Sequence, residues 1–170
     1  GVLISDLAAA FGATTRELER LVSVLSASTH AKNFKSKILL LYFVPLAMAH
    51  IRRDQQLINQ LTKVPSSVNS LTEYFQEIGL ALPNYSYFDQ FERQNINFSC
   101  IGMLTQLLAM LKRSVSQIHV PDGQGAEAWA AHVLAEEHQI EHRGMSSSGE
   151  KLPSVLLRYN DLISSAGNLT

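Results

Sequence analysis

The sequence predicts an all-α fold, an irregular bundle of about seven helices, from three observations. Apolar residues recur every three or four positions along most of the chain, which is the period of an amphipathic helix. Capping residues and glycines bound these periodic segments, and the alternating pattern of β-strands is essentially missing. With 170 residues, 46% of them hydrophobic and 17% charged, the chain is long and apolar enough for one domain with a sizeable core.

A glycine turn separates the first two predicted helices. Ser5 is expected to cap a short helix that runs to Phe11, with Gly12 just past its end. Thr14 and Glu17 then form a capping-box pattern that predicts the start of the second helix. The predicted inner face of this second helix consists of Leu18, Leu21, Val22 and Leu25.

The longest apolar run, residues 38–49, predicts a buried third helix. We expect this helix to begin after Asn33 and to continue in some form to Leu61, with a bend near Pro45. The run is shorter than the roughly 20 residues that a membrane span requires. We therefore expect no association with a membrane.

The middle of the chain predicts further helices. Ser70 and Glu73 repeat the capping-box pattern for a helix that ends near Gly79. After a loop around Pro83, a short aromatic helix is expected around Tyr87, Phe88 and Phe91. The clearest helical period covers residues 98–118, and Cys100 lies in the middle of its apolar arc.

Two more helices are predicted toward the C-terminus. One covers about residues 126–142, and its expected inner face consists of Trp129, Val133 and Ile140. Residues 144–152 are expected to form a flexible connector, after which Pro153 opens the last helix. The expected inner face of this last helix consists of Leu156, Tyr159, Leu162 and Ile163.

The termini and the cysteine content indicate the setting of the domain. We expect a single helical domain over residues 1–170, and a fragment of a longer protein because the chain begins with Gly1 rather than Met. Cys100 is the only cysteine, so an internal disulfide and a cysteine-based zinc cluster are both excluded. No signal peptide opens the sequence, and we expect an intracellular, reducing compartment.

Residues 4–23 resemble the helix-turn-helix motif of DNA-binding regulators. The small Ala8 would let two helices cross closely, and Gly12 would accept the left-handed turn between them. The resemblance implies that a set of residues faces DNA, namely Thr14, Thr15, Arg16, Glu19 and Arg20. Arg16 and Arg20 would contact guanine edges or phosphates. An ordinary helical hairpin closed by a glycine turn would show the same pattern.

A basic segment between residues 30 and 63 is the second candidate site. Its cations are Lys32, Lys35, Lys37, Arg52, Arg53 and Lys63, and its only acidic residue is Asp54. Such side chains neutralise phosphates without reading the base sequence. Solvated helix ends would explain the same charges, and the net charge of −1 is lower than a dedicated nucleic-acid binder usually has.

Two patterns suggest chemistry and are better explained without it. His138 and His142 lie one helical turn apart beside Glu141, a spacing that can hold a metal. The helical wheel places both histidines well away from the apolar face, so we expect a solvated surface and no metal site. Cys100 is expected to be a core residue rather than a nucleophile, because catalytic thiolates need an exposed, electropositive setting. No enzymatic activity and no cofactor are predicted.

The sequence therefore predicts a non-enzymatic helical domain that acts by association with itself or with a protein partner. The basic segment leaves room for RNA or DNA in this assembly, as in a nucleoprotein-like or coat-like subunit. The residues expected to make such contacts are Lys32, Lys35, Lys37, Arg52 and Arg53. The alternative is a DNA-binding regulator that uses Arg16 and Arg20 of the N-terminal motif.

Overall fold

A computed structural model describes residues 2–30, 37–62, 69–89, 93–111, 125–141 and 155–167. These residues are mostly helical, which confirms the predicted fold class. The helices are α1 (Val2–Ala10), α2 (Thr15–His30), α3 (Leu40–Arg52), α4 (Gln55–Thr62), α5 (Asn69–Glu77), α6 (Cys100–Leu111), α7 (Ala126–Glu141) and α8 (Tyr159–Gly167). A short 3-10 helix, Val155–Arg158, leads into α8, and the strands β1 (Asn84–Asp89) and β2 (Gln94–Ser99) form a hairpin.

Helix α3 is the centre of the described structure. Residues 41–49 are all buried, and α1, α2, α4 and α8 pack against this helix. Pro45, where a bend was expected, is buried and lies inside α3. The helix continues past it to Arg52. None of the helices in the described regions is both long and apolar enough to cross a bilayer.

The predicted continuous helix to Leu61 is interrupted at Arg53, not at the proline. Arg53 adopts a left-handed conformation with φ of 58°. Its N–H donates to the His50 carbonyl at 3.1 Å, and the Asp54 N–H donates to the Ala49 carbonyl at 2.8 Å. These two bonds form a Schellman cap, which ends a helix and turns the chain. Helix α4 then starts with the Asp54 carboxylate as its N-cap, accepting from the Leu57 N–H at 2.9 Å.

The buried face of α2 agrees only in part with the predicted one, which Leu21 and the half-buried Leu25 confirm. Leu21, Val24 and Ser28 are buried, because α2 packs against both α3 and α8. Leu18 and Val22 were expected on the inner face, yet they are 37% and 60% exposed. Helix α1 begins at Val2, so Ser5 lies within the helix and does not cap it. Gly12 has the predicted left-handed conformation, with φ of 58°.

The hairpin contradicts two expectations, the short aromatic helix and the near-absence of strands. The two strands are antiparallel, and their register pairs Tyr85 with Phe98 and Tyr87 with Ile96. Aromatic and branched residues alternate with asparagine and serine in both segments, which is a short strand pattern. That period-two signal was overlooked because each segment has only six residues. Phe91 lies outside the described residues.

Helices α6 and α7 pack against each other. Cys100 begins α6 and is fully buried, which confirms its predicted place in the core. The buried residues of α7 include Ala130, Ala131 and Leu134. Trp129 and Val133, which were expected at the centre of the inner face, are only half-buried. Small side chains let two helices approach closely, so the alanines favour this face. The structure describes neither the side chain of Ile140 nor residues 112–124, where the 98–118 helix was expected to end.

The predicted inner face of the last helix is confirmed in α8 and in the 3-10 helix before it. Helix α8 packs against α3. Leu156, Tyr159 and Ile163 are buried, and Leu162 is half-buried. The Tyr159 hydroxyl accepts a hydrogen bond from the Leu39 N–H at 2.9 Å. The expected connector at 144–152 and Pro153 lie outside the described residues. Helices α2, α3 and α8 thereby come together, although α8 follows the other two by more than a hundred positions.

Candidate functional site

A cavity of about 410 Å³ lies between α2, α3 and α8, and its lining includes two arginines and a histidine. Its polar lining includes Arg20 from α2, with His50 and Arg53 from the C-terminal end of α3. The remaining wall is largely aliphatic, with Val24, Ile51 and Ile163. No carboxylate is found among the described residues that line it.

The backbone of each helix explains how its cation reaches the cavity. Arg20 lies on α2 directly before the buried Leu21 and one turn before the buried Val24, and its own side chain is exposed. Arg53 follows the last residue of α3, where the Schellman cap turns the chain. Neither guanidinium has a hydrogen bond or an ion pair to the residues that the structure describes. Both arginines are therefore available to an anion.

His50 is held in place by the helix that closes the cavity. Its Nε2 lies 2.9 Å from Oδ1 of Asn160 on α8. An amide oxygen can only accept, so Nε2 carries the proton and donates it to Asn160. Ser164, one turn further along α8, adds a hydroxyl to the lining. No sequence pattern indicated that His50 of α3 would meet Asn160 and Ser164 of α8. The two helices are separated by more than a hundred positions in the chain.

The electrostatic balance of the cavity favours an anion. The C-terminal ends of α3 and α8 both lie at its wall, and the dipole of each helix places roughly half a negative charge there. Arg20 and Arg53 add two full positive charges, which outweigh both helix ends. Guanidinium groups bind carboxylate and phosphate in a bidentate manner, which a compact ammonium does not.

Arg52, a predicted phosphate contact, has a different environment. Its Nε donates to Oε1 of Glu17 at 2.8 Å and its Nη2 donates to Oε2 at 3.2 Å. The guanidinium also lies 6.0 Å from the centre of the Phe11 ring. This bidentate pair joins the end of α3 to the turn between α1 and α2. The phosphate role of Arg52 stays a prediction, and the guanidinium already has a carboxylate partner.

The predicted capping box at Thr14 and Glu17 is confirmed. The Thr14 N–H donates to Oε2 of Glu17 at 2.8 Å, and the Glu17 N–H donates to Oγ1 of Thr14 at 3.3 Å. The hydrogen bond from Arg52 comes first among the causes that lower the pKa of Glu17 to about 2, and the bonds from Thr14 add to it. A single carboxylate thus holds the α1–α2 turn against α3.

This arrangement predicts a pH dependence of stability. Because folding lowers the pKa of Glu17 from 4.5 to about 2, its stabilising effect is complete above pH 4.5 and is lost as the pH falls toward 2. We expect urea unfolding of the Glu17→Gln variant to change less between pH 5 and pH 2.5 than that of the wild type. Glu19→Gln, an exposed neighbour on α2, should follow the wild-type profile. Parallel profiles for Glu17→Gln and the wild type would contradict the assignment.

The other predicted site residues are more scattered. Arg16 is exposed on α2, as the helix-turn-helix resemblance requires, and Lys37 is exposed before α3. Helices α1 and α2 both pack on α3, and of the two leucines expected to anchor the second helix of the motif, Leu21 is fully buried and Leu18 is 37% exposed. Lys32 and Lys35 lie outside the described residues.

The metal and thiol candidates can be located only in part. The structure does not describe the side chains of His138 and Glu141, nor any part of His142. In the part of the chain that it does describe, no group of three metal-binding side chains comes together. Cys100 touches a second, more apolar cavity of about 490 Å³. Burial raises the pKa of this thiol above its usual range, which disfavours the thiolate.

Comparison with models of protein families, with curated proteins and with solved structures finds no match for this chain. The cavity and the exposed arginines around it are therefore the features that indicate a function. Two segments that the sequence presented as separate candidates, α2 and the end of α3, each supply one arginine to that cavity.

Proposed function

We propose that this chain is a non-enzymatic helical domain that assembles with itself or with a protein partner on nucleic acid. The observation that carries the nucleic-acid part is the meeting of Arg20 and Arg53 at one cavity. Arg16, exposed one turn before Arg20 on α2, extends the same cationic surface. We name Arg16, Arg20 and Arg53 the arginine surface.

Contacts to phosphates fit this surface better than contacts to bases. Phosphate contacts need only positive charge within reach of the backbone, and they bind every sequence alike. A short surface on a chain of net charge −1 is expected to bind weakly alone, so several copies acting together would be needed for tight binding. We further propose an intracellular, reducing setting, in keeping with a single cysteine that is buried as a thiol.

Fluorescence anisotropy with random single-stranded RNA and random duplex DNA tests the proposal. We expect the wild type to bind the RNA and the DNA weakly and in a salt-dependent manner. The double variant Arg16→Ala/Arg20→Ala should lower the affinity for RNA and for DNA to the same extent. The slope of log affinity against log salt should fall by roughly 0.7 to 0.9 for each lost phosphate contact. Arg93→Gly is the matched control, because Arg93 is exposed at the hairpin, away from the cavity. No binding by the wild type at micromolar protein would contradict the nucleic-acid part.

The assembly part of the proposal needs a separate measurement. Light scattering coupled to size-exclusion chromatography, with and without single-stranded RNA, reports the mass of the particle. We expect a mass above 18.8 kDa for the chain alone or a multiple of it on RNA. A monomer under both conditions would contradict assembly with itself.

A second candidate function is sequence-specific binding of duplex DNA through α2. The left-handed Gly12, the capping box at Thr14 and the exposed Arg16 and Arg20 favour it. In that case one duplex would be selected from a random pool, and each arginine substitution should cost about 1–3 kcal/mol on that duplex. The same substitution should have little effect on random DNA, which distinguishes this candidate from phosphate binding.

A further inference from the structure

Arg53 combines two independent features, a left-handed backbone conformation and an exposed positive charge. A residue with a side chain is strained at φ of 58°, and glycine is the usual occupant of this position after a helix. Strained positions of this kind cluster where a side chain has a function. The Arg53 guanidinium is exposed, and the described residues offer it no ion pair or hydrogen bond. The Schellman cap itself needs the backbone of Arg53 and not its side chain.

The chemistry around Arg53 favours a phosphate oxyanion. Arg20 of α2 lines the same cavity, so the lining holds one arginine from α2 and one from the residue that follows α3. Planar guanidinium groups match the oxygens of a phosphate, and two of them can neutralise either a strand phosphodiester or a terminal phosphate. The hydroxyl of Ser164 adds a donor for a third oxygen.

The size and wall of the cavity point to an organic phosphate rather than to the bare ion. A volume of about 410 Å³ lies within the range of small-molecule sites, roughly 300–1,000 Å³. Val24, Ile51 and Ile163 supply an aliphatic wall beside the two arginines. The His50 imidazole is the one ring in the described wall, where Phe, Tyr and Trp are absent, so the described wall has no large ring on which a particular base would stack.

We infer that the cavity between α2, α3 and α8 binds one nucleotide unit, with its phosphate on Arg20 and Arg53 and its sugar against the aliphatic wall. This inference rests on the proposed function, since it names the part of a nucleic acid that the arginine surface holds. The phosphate comes from the strand itself or from a free nucleotide. Binding is insensitive to base identity, because recognition uses the phosphate and the sugar.

Isothermal titration of the full chain with small ligands tests the inference directly. Adenosine monophosphate and cytidine monophosphate should bind with affinities within about threefold of each other. Adenosine without phosphate should show no binding at the same concentrations, and inorganic phosphate should bind more weakly than either nucleotide. Equal binding of adenosine and its monophosphate, or tight selection of one base, would overturn the inference.

The matched variants Arg53→Gly and Arg93→Gly separate the site from general charge. Both remove one positive charge from a residue with a left-handed backbone, φ of 58° and 50°, and glycine suits both positions. Arg53→Gly should weaken nucleotide binding about tenfold or more, and Arg93→Gly should leave it within twofold. Arg20→Gln should weaken it to a similar extent as Arg53→Gly. Equal affinities for the two glycine variants would overturn the inference even if both proteins are fully folded.

Titration of the same proteins with a random single-stranded RNA distinguishes this inference from the proposed function. If the wild type binds the RNA but no mononucleotide, the cavity assignment is wrong and the proposed function stands. If it binds mononucleotides but not RNA, the cavity assignment stands and the nucleic-acid function is wrong. Loss of both kinds of binding would overturn both.

Discussion

Replacing Tyr159 with alanine is expected to lower the free energy of unfolding by about 3–5 kcal/mol. The Tyr159 side chain is fully buried between α8 and α3. The centre of its ring lies 5.9 Å from the centre of the Phe43 ring, in an edge-on arrangement, and 5.7 Å from the centre of the Tyr42 ring. Truncation removes these contacts and leaves a cavity at the junction that anchors α8. Urea unfolding followed by circular dichroism measures the effect.

The Tyr159→Phe variant separates the ring from the hydroxyl. It keeps the ring and removes the hydroxyl oxygen that accepts from the Leu39 N–H at 2.9 Å. Leaving a part-buried N–H without its partner should cost about 1–3 kcal/mol, less than the alanine variant. Equal losses for the two variants would show that the ring contributes little. A wild-type stability in Tyr159→Ala would contradict the docking of α8 against α3.

Leu21→Ala in α2 is expected to lower the free energy of unfolding by about 2–5 kcal/mol. Leu21 is fully buried where α2 packs between α3 and α8. Val22→Ala is the matched control at the next position, because Val22 is 60% exposed. A surface substitution of this kind usually changes stability by less than about 0.5 kcal/mol. Thermal and urea unfolding of both variants provide the measurement.

This pair also tests which face of α2 is buried. The sequence pattern placed both residues on one inner face, whereas the structure buries Leu21 together with Val24 and Ser28. Similar losses for Leu21→Ala and Val22→Ala would favour the face predicted from the sequence. A large loss for Leu21 alone would favour the structure. The result bears on the cavity as well, because Arg20 reaches it only if α2 has the observed rotation.

Features that depend on residues close together in the sequence were predicted correctly more often than features that depend on distant segments. The capping box at Thr14 and the left-handed turn at Gly12 depend on neighbouring residues, and both are confirmed. The Schellman cap at Arg53 was missed because glycine is the usual signal for such a cap and none is present there. The hairpin is not predicted because each strand has only six residues, which is too short for its period-two pattern to stand out among the helical periods.

The candidate site shows the same division. Arg20 and Arg53 were recognised as cations of two separate segments, and nothing in either segment indicated that they share a cavity. Arg52 was placed in the same group as Arg53, although a carboxylate 35 positions earlier in the chain pairs with it. Charge can be read from a sequence, but the partner of each charge depends on which helices meet.

By itself, the sequence determined the helical class, the buried apolar run of α3, the core position of Cys100 and the box that starts α2. Each follows from residue period or from contacts within one helical turn. The tertiary structure alone decided the rotation of α2, the pairing of Glu17 with Arg52 and the convergence of Arg20 with Arg53. The bond from His50 to Asn160 closes that site across 110 positions. Such contacts depend on how whole helix faces pack, and packing is a property of the folded core rather than of any one segment.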